Sequence, residues 1–265
     1  MERHAARVVS LAASNTEIVC ALGLGDRLVG VDDFSDFPPR IRRLPRVGPD
    51  LHIDAERVAA LQPDLILASR SVPGMERNLA PLDDRGLRYE VMPSDGLAGM
   101  ERAIHRVGTL LGAETRAAAL VDALRARMAR VRERVAGRPP VPTYWEWWPR
   151  PPITAGGTSW ITEMLELAGG RNVFADLPAE SRAVTAAEVA ERAPGAAVLC
   201  WCGARKRPDP RLLATRPGWE LLPAVRAGRL HAVLEPHFGR PGPRLAEGVE
   251  LLAALLHPEA EPARA

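Results

Sequence analysis

Short apolar and β-branched runs alternate along the chain with longer segments in which apolar residues recur at helical intervals. In the first third, this pattern predicts strands at 7–12, 28–31, 65–68 and 89–92, and helices at 17–22, 54–61 and 77–84. From residue 138 onward, it predicts strands at 141–148, 197–202 and 230–234, and helices at 161–168, 186–192 and 244–256. Because helices separate short apolar strands, both regions are predicted to be parallel sheets covered by helices, which makes the protein α/β.

The same order of features occurs twice. Residues 14–68 contain a polar helix start, a glycine-rich helix end, an Ala/Glu-rich helix and then a proline before a buried strand, and residues 158–200 repeat this order. Two copies of one supersecondary unit predict two similar lobes with a ligand site in the cleft between them. This arrangement favours ligand capture over catalysis.

A long helical region separates the two copies. Apolar residues recur at helical spacing from Met100 to Val135, and Gly108 and Gly112 predict a break near Ala113. The second piece, 114–136, would span about 35 Å. We therefore divide the chain into an N-terminal lobe at 1–97, helices at 98–137 and a C-terminal lobe at 138–265.

Composition excludes several functions. The formal charge of +2 gives no reason to expect a nucleic acid partner, and Lys206, the only lysine, lies far from any glycine-rich turn, which excludes a Walker-type phosphate loop. No apolar run reaches the roughly 18 residues of a membrane helix. Met1 to Ala6 leads directly into the first strand without room for a signal peptide, so we expect either a mature exported form or a protein that stays in the cytoplasm.

Two segments have features of anion sites. Ser14 and Glu17 have the spacing of a capping box, which would open the first helix and present its free N–H groups. The loop 154–159 is rich in Gly, Ser and Thr and leads into another helix. Backbone N–H groups of such a loop can bind a phosphate or carboxylate, although an ordinary turn with a Ser or Thr cap is the favoured interpretation.

Aromatic residues, only 5% of the chain, crowd into the segment 144–148. On a strand, Trp145 and Trp147 share one face while Tyr144, Glu146 and Trp148 share the other, so we expect at least one face to be partly solvated. Large aromatic faces suit flat or hydrophobic ligands, and core packing is the alternative. Outside this segment, Phe34 and Phe37 lie in an irregular loop rich in Asp and Pro. Contact with a ligand and packing in the core are the two alternatives for these rings, and we favour the ligand.

Metal and catalytic sites are not expected. Asp50, His52 and Asp54 alternate as metal ligands can, yet Asp54 also stands where a helix N-cap is predicted, and we favour the cap. Cys200 and Cys202 would share one side of a strand, where burial is favoured over metal binding. No combination of nucleophile, base and orienting acid is recognisable.

Five segments, taken in order, resemble one family and cover almost the whole chain. They are Ser14-Asn15-Thr16-Glu17, the loop 34–39, the segment 56–64, the stretch 154–174 and the tail 238–244. The chain is similar here to the solute-binding proteins of ABC transporters that deliver cobalamin and, more broadly, ferric siderophores and heme. The resemblance implies two Rossmann-like lobes joined by a long backbone helix, with the ligand in the interlobe cleft.

The resemblance also implies functional residues. The ligand-binding positions expected from it and from the aromatic pattern are Ser14, Asn15, Phe34, Phe37, Trp145, Trp147, Trp148, Ile153, Phe238 and Arg240. Glu56 matches a carboxylate that docks onto the membrane permease. Ala187 stands where a second docking glutamate is expected, so neighbouring Glu188 is predicted to take that role.

The chain also departs from the best-known cobalamin binders. Asp50, Ser69 and Ser181 occupy positions where those proteins have tryptophans, and Pro236 replaces an aspartate. We nevertheless expect a corrinoid such as cobalamin as the ligand, no intrinsic cofactor, an ABC permease as partner, a monomer and a location outside the cytoplasm. The alternatives are a heme or ferric-siderophore binder of the same family and an intracellular enzyme or corrinoid sensor on the same fold.

Overall fold

The computed structural model describes residues 4–203 and 206–260, and the predicted start at Met1 lies outside these ranges. The strands are β1 (Val8–Ser10), β2 (Leu28–Val31), β3 (Leu65–Ser69), β4 (Tyr89–Met92), β5 (Val141–Glu146), β6 (Trp148–Pro149), β7 (Pro152–Ala155), β8 (Gly170–Asn172), β9 (Ser181–Ala183), β10 (Ala196–Leu199) and β11 (Leu230–Ala232). The α-helices are α1 (Ala13–Ala21), α2 (Ala55–Ala60), α3 (Ala80–Asp83), α4 (Gly96–Leu111), α5 (Glu114–Val135), α6 (Trp160–Leu167), α7 (Ala186–Glu191), α8 (Pro223–Arg226) and α9 (Leu245–Leu256).

The chain forms two compact units. Unit 1 comprises Met1–Leu124 and Arg240–Pro243, and unit 2 comprises Arg125–Gly239 and Arg244–Ala265. The boundary between Leu124 and Arg125 falls within α5, so this helix contributes to both units. The division at residues 97 and 137 made from the sequence stays a prediction.

Each unit contains one parallel four-stranded sheet with the same strand order. The order is β2-β1-β3-β4 in unit 1 and β8-β5-β10-β11 in unit 2, so β5, β8, β10 and β11 take the places of β1, β2, β3 and β4. The repeat seen in the sequence is therefore a repeat of topology. Together with α5, these sheets confirm the predicted α/β class of two Rossmann-like lobes joined by a long helix.

The repeat extends to the connection before the third strand of each sheet. Helices α2 and α7 each have six residues and a side-chain N-cap, supplied by Asp54 and Thr185. Each is followed by a residue with positive φ, Gln62 at 48° and Ala193 at 44°, directly before a proline. In both units, this left-handed turn returns the chain to the parallel sheet at the same point.

Unit 2 contains an additional antiparallel sheet of order β6-β7-β9, without a counterpart among the described residues of unit 1. Strand β5 ends at Glu146, and the chain then turns into the β6–β7 hairpin. The predicted single strand over 141–148 is wrong for this reason: Trp147 lies outside any strand, and Trp148 belongs to the second sheet.

Other element boundaries also differ from the prediction. Helix α1 begins at Ala13 with Ala12 as its N-cap and no side-chain cap, so the predicted capping box at Ser14 is wrong. The predicted helix at 77–84 is a 3₁₀ turn at Met75–Asn78 followed by the short α3. The strand predicted at 197–202 ends at Leu199, which places Cys200 and Cys202 beyond it.

The helical break was predicted correctly. Helix α4 ends at Leu111, and Gly112 has φ of +64° as its C-cap. This left-handed conformation requires glycine, and a Cβ atom there would also lie 2.6 Å from the His4 ring, which would have to shift.

The apolar residues of each unit pack around its sheet. In unit 1, one cluster joins Val9, Ile66 and Val58 between the sheet and its helices. In unit 2, one cluster joins Tyr144, Phe174 and Trp219 to Ala197 and Leu199 of β10. These cores hold the carboxyl ends of the strands in place, and the candidate ligand residues follow those ends.

Candidate ligand-binding site

In unit 1, a chain of buried polar side chains lies at the carboxyl end of β1. The Thr16 hydroxyl donates to Ser10 Oγ at 2.8 Å and lies 2.7 Å from Ser35 Oγ, and Ser35 in turn donates to Asp32 Oδ1 at 2.5 Å. The Phe34 backbone N–H donates to Asp32 Oδ2 at 3.0 Å. This network fixes the start of the loop that follows β2.

Asp32 is the ionisable centre of this network. Burial raises its pKa to about 6, against opposing hydrogen bonds from Ser35 and the Phe34 N–H. Arg46 does not pair with the carboxylate; it donates to the carbonyl oxygens of Asp32 at 2.7 Å and of Ser35 at 2.6 Å. The guanidinium therefore braces the loop backbone.

The braced loop presents two aromatic rings at the surface of unit 1. Phe34 is 43% exposed and Phe37 is 42% exposed, which agrees with the interpretation that these residues do not pack in the core. Two large exposed apolar side chains in one short loop are available to a ligand.

Ser14 and Asn15 have a different environment from the predicted one. Both are buried in α1, and the Asn15 amide donates to the carbonyl oxygens of Leu67 at 3.2 Å and Ala68 at 2.9 Å. Asn15 thus ties α1 to the end of β3. These side chains support the surface of unit 1 and expose little of their own.

Arg240 lies in unit 1 among carboxylates. Its Nη1 atom is 3.2 Å from Glu17 Oε1 and 2.6 Å from Asp36 Oδ1, and both Arg240 and Glu17 are buried. Arg240 is a predicted ligand residue, and an anionic ligand group there would compete with the two carboxylates that already bind it. A polar amide that accepts one N–H is a better match than a second full negative charge.

In unit 2, four aromatic residues form one cluster. Trp145 lies 5.3 Å from both Trp147 and Phe238 between ring centroids, and Trp147 lies 6.3 Å from Trp160. The Trp160 indole N–H donates to the Phe238 carbonyl at 2.6 Å. Edge-to-face packing of this kind stabilises a fixed arrangement of the rings.

Most of this cluster is sealed from solvent. Trp145 and Phe238 have no exposed surface, and neither do Tyr144 and Glu146 on the other face of β5, so the expectation of a partly solvated face is wrong for this strand. Trp145 and Phe238 are predicted ligand residues, but neither has surface that a ligand could reach. Trp147 is 8% exposed and is the member of the predicted set that retains an accessible edge here.

Trp148 and Ile153 lie opposite each other on the β6–β7 hairpin. Directly opposed residues of an antiparallel pair point to the same face. Trp148 is 46% exposed, and Ile153 is partly buried beside it. This pair gives unit 2 an exposed apolar surface.

The glycine-rich loop at 154–159 does not offer free N–H groups. The backbone N–H groups of Gly156, Gly157 and Thr158 donate to carbonyl oxygens of residues 177–180, at 2.8 to 3.3 Å. The Ser159 N–H donates to Gly156, and its hydroxyl accepts from Ile161 N as the N-cap of α6. The cap interpretation is correct, and the suggested use of this loop as an anion site is wrong.

A buried ion pair in unit 2 was missed by the sequence analysis. The Arg216 guanidinium donates to both Glu146 oxygens, at 2.5 and 2.8 Å, and the Tyr144 hydroxyl donates to Oε2 at 2.8 Å. The Trp201 indole N–H donates to Oε1 at 3.0 Å. The alternation of Tyr144, Trp145 and Glu146 placed the carboxylate and hydroxyl on one face, but no sequence signal links them to Arg216.

The two predicted docking carboxylates have unlike environments. Glu56 is the second residue of α2, its side chain is 84% exposed, and it pairs with Arg85 at 3.4 Å. Glu188 closes the capping box of α7, where Oε2 accepts from the Thr185 N–H and hydroxyl and Oε1 accepts from Arg182. The Thr185 N–H, followed by the other donors, holds the pKa of Glu188 below its usual value.

The suggested metal ligands do not converge. Asp54 caps α2 by accepting from the N–H groups of Glu56 and Arg57, as predicted. Cys200 is buried and Cys202 is exposed. Within residues 4–203 and 206–260, no three His, Cys, Asp or Glu side chains form a group that could hold a metal ion. Over the same ranges, no helix is both long and apolar enough to cross a membrane.

Comparison with known proteins gives a consistent result. The model of a family described as periplasmic binding proteins matches residues 8–233. A vitamin B12-binding protein of Photorhabdus laumondii is 30% identical over 251 residues, covering 95% of this chain and 88% of that protein. An ABC transporter substrate-binding lipoprotein of Bacillus subtilis is 29% identical over 265 residues, covering 98% of this chain and 82% of that protein.

A solved structure extends the comparison to the fold. A periplasmic heme-binding protein from Pseudomonas aeruginosa superposes with a TM-score of 0.83 at 28% sequence identity, covering 98% of this chain and 95% of that one. The family model spans both parallel sheets of the described fold. The chain therefore belongs to the periplasmic binding protein family.

Proposed function

We propose that this chain is the solute-binding component of an ABC importer and that its cargo is a corrinoid of the cobalamin type. The observation that carries the proposal is the set of exposed aromatic side chains Phe34, Phe37 and Trp148. They follow the carboxyl ends of β2 and β5, the end of a parallel sheet where α/β proteins bind ligands.

The chemistry of these surfaces fits a large, partly apolar ligand. Exposed rings bury apolar ligand surface, and Trp147 adds the accessible edge of the aromatic cluster in unit 2. The Arg240 guanidinium, already bound by Glu17 and Asp36, suits neutral amide groups better than carboxylates. A corrin ring bears several amides, which supports it over a ligand whose polar groups are all anionic.

The relationship to vitamin B12-binding proteins supports a corrinoid. Heme is the second candidate, because the heme-binding protein from Pseudomonas aeruginosa is about as similar in sequence and shares the fold over 98% of this chain. The chain would act outside the cytoplasm and deliver its cargo to a membrane permease, which the similarity to an ABC transporter substrate-binding lipoprotein supports. We propose that it does so as a monomer and without altering the cargo.

Calorimetric titration with cyanocobalamin, cobinamide, hemin and a ferric hydroxamate tests the ligand. We expect the corrinoids to bind most tightly. Phe34→Ala and Trp148→Ala should each weaken corrinoid binding by about 1 to 3 kcal/mol, the range for aromatic anchors. Leu221→Ala, a change at a residue that is 62% exposed in unit 2 and outside the candidate set, is the matched control and should leave the affinity unchanged.

A ferric hydroxamate or hemin that outcompetes the corrinoids would overturn the ligand assignment and retain the transport role. Heat that continues to evolve after saturation, with a chemically changed ligand, would instead favour an enzyme. Equal effects of Leu221→Ala and Trp148→Ala would show that the exposed aromatic rings are not the contact surface.

A further inference from the structure

The segment after β10 continues alongside the segment after β5. The Cys200 N–H donates to the Glu146 carbonyl at 2.9 Å, and the Cys202 N–H donates to the Trp147 carbonyl at 3.2 Å. Trp201 therefore lies at the same carboxyl edge of the unit 2 sheet as Trp147. Trp201 is partly exposed as a residue, and it packs against the core cluster around Tyr144.

Trp201 is held by a buried carboxylate. Glu146 has no exposed surface and accepts four hydrogen bonds, two from Arg216, one from Tyr144 and one from the Trp201 indole at 3.0 Å. A carboxylate accepts about four hydrogen bonds at most. Glu146 is thus fully occupied, and the indole N–H takes its remaining position.

This arrangement has a consequence for binding. An indole that is anchored at its N–H and packed on one side keeps one orientation, so a ligand that stacks on its free surface does not have to order the ring. An indole needed only for packing would gain little from a charged anchor, because its N–H could face solvent. The anchor is explained if the exposed part of the ring contacts a ligand.

Unit 1 contains the same device at the corresponding strand end. The polar network that starts at Ser10, the last residue of β1, fixes the loop bearing the exposed Phe34 through Asp32. Glu146 is the last residue of β5, which takes the place of β1 in the second sheet. In both units, a buried polar network at the end of the first strand therefore orients an accessible aromatic ring.

We propose that Trp201 is a ligand-contacting residue that stacks on the conjugated macrocycle of the cargo, and that Glu146 is its positioning residue. This inference rests on the proposed function and adds a residue that discriminates by ligand class. Stacking favours corrin and porphyrin rings, which share a conjugated macrocycle, over ferric hydroxamates, which have none.

Titration of wild-type protein, Trp201→Ala and Trp201→Phe with cyanocobalamin, hemin and a ferric hydroxamate tests the contact. We expect Trp201→Ala to weaken binding of the preferred macrocycle about 10-fold, as for loss of one stacking contact. Trp201→Phe keeps a ring and loses the hydrogen bond to Glu146, so its affinity for the macrocycle should lie between those of wild-type protein and Trp201→Ala. Any ferric hydroxamate affinity should change less than about 2-fold, and Leu221→Ala again serves as the control.

A second measurement separates contact from folding. The indole N–H signals of the tryptophans are resolved by NMR in ¹⁵N-labelled protein, and the Trp201 signal is assigned by its loss in Trp201→Phe. Adding the preferred macrocycle should shift this signal. Glu146→Gln should shift it without ligand; if that variant does not fold, the weaker macrocycle binding of Trp201→Phe, which lacks the same hydrogen bond, tests the positioning role from the other side.

The outcomes distinguish the inference from the proposed function. If wild-type protein binds none of the three ligands, both are overturned. If it binds a macrocycle, and Trp201→Ala binds as tightly while the Trp201 signal does not move, the contact is refuted and the transport role stands. Equal weakening for the ferric hydroxamate would refute the discrimination by ligand class.

Discussion

Arg240 balances the charge of the unit 1 surface. Its guanidinium is buried with Glu17 and reaches the more exposed Asp36. Removing one partner of a buried ion pair leaves the other charge without compensation, which costs more than the pair contributes. Arg240 is therefore a structural residue as well as a ligand candidate.

Arg240→Ala should lower the free energy of unfolding by about 3 kcal/mol, because Glu17 would remain buried without this partner. Urea unfolding followed by circular dichroism measures the effect. Arg57→Ala is the control: Arg57 pairs with Asp54 at 3.1 Å, its side chain is 66% exposed, and such a pair contributes less than about 1 kcal/mol. Equal losses in the two variants would contradict the burial argument.

Asp32 gives the unit 1 network a pH dependence. Its pKa rises from 3.8 to about 6 on folding, so the folded state binds more protons than the unfolded state between these values. The stability that this adds is complete below the unfolded pKa and is lost as the pH rises through 6. Over that window the loss amounts to about 3 kcal/mol.

The difference in unfolding free energy between wild-type protein and Asp32→Asn isolates this contribution. The unfolding free energy of the wild type should fall relative to that of Asp32→Asn as the pH rises from about 4 to about 6, and the difference should then level off. Asp33→Asn, at the exposed neighbour, is the control for a lost surface charge. A difference that grows in favour of the wild type over this window would show that the Asp32 carboxylate is stabilised, not penalised, by its environment.

At the level of elements, strand and helix order could be predicted because apolar periodicity reports which residues face a core. The ends of strands and helices could not be predicted in this way, because they depend on contacts with distant parts of the chain. Ser14 and Glu17 have the spacing of a helix cap, but both lie inside α1, and the residues between them, Asn15 and Thr16, bond to β3 and to Ser10. The pairing of Glu146 with Arg216, 70 residues away, leaves no local signal, so the part of the site that it supports could not be predicted.

The loop before α6 needs glycine for space. A Cβ atom at Gly157 would lie 2.3 Å from the Ala175 carbonyl oxygen and 2.9 Å from that of Leu177, and neither backbone atom can rotate away. Gly157→Ala should therefore lower the free energy of unfolding by about 1 to 3 kcal/mol. Thermal unfolding checks this against Gly195→Ala, where the new atom would meet Pro142 at 3.6 Å, and a larger loss at Gly195 would contradict the prediction.

Helices α2 and α7 are equivalent in topology and differ in charge. Glu56 is 84% exposed on α2, where it pairs with Arg85 at 3.4 Å, whereas Ala187 holds the equivalent position in α7 and Glu188 is used within the cap. We therefore expect docking onto a permease to depend on unit 1 more than on unit 2. Charge pairs of this kind steer association and weaken with salt.

Glu56→Ala should reduce stimulation of the permease ATPase about 3-fold at low ionic strength and less at high salt. The assay uses the importer reconstituted in liposomes with each variant added. Glu114→Ala removes another exposed glutamate charge, at the start of α5, and should have no effect. Stimulation that is unchanged in Glu56→Ala, or lost equally in Glu114→Ala, would rule out a specific role for Glu56.

For the whole molecule, the duplicated topology explains why the sequence was informative. Each unit contains the same parallel sheet, and each has an accessible aromatic residue after a strand end, Phe34 in unit 1 and Trp201 in unit 2. The added β6–β7–β9 sheet with the exposed Trp148 occurs in unit 2. Differences between the repeats therefore coincide with candidate ligand residues, as expected for a shared scaffold with a specialised site.

Native mass spectrometry of the wild-type chain, mixed with equal amounts of cyanocobalamin, cobinamide and hemin, tests the central claim directly. We expect one chain carrying one corrinoid, with a total mass equal to the sum of the two and the ligand recovered unchanged. A chain that carries none of the three, or a bound species whose mass shows chemical conversion, would contradict it.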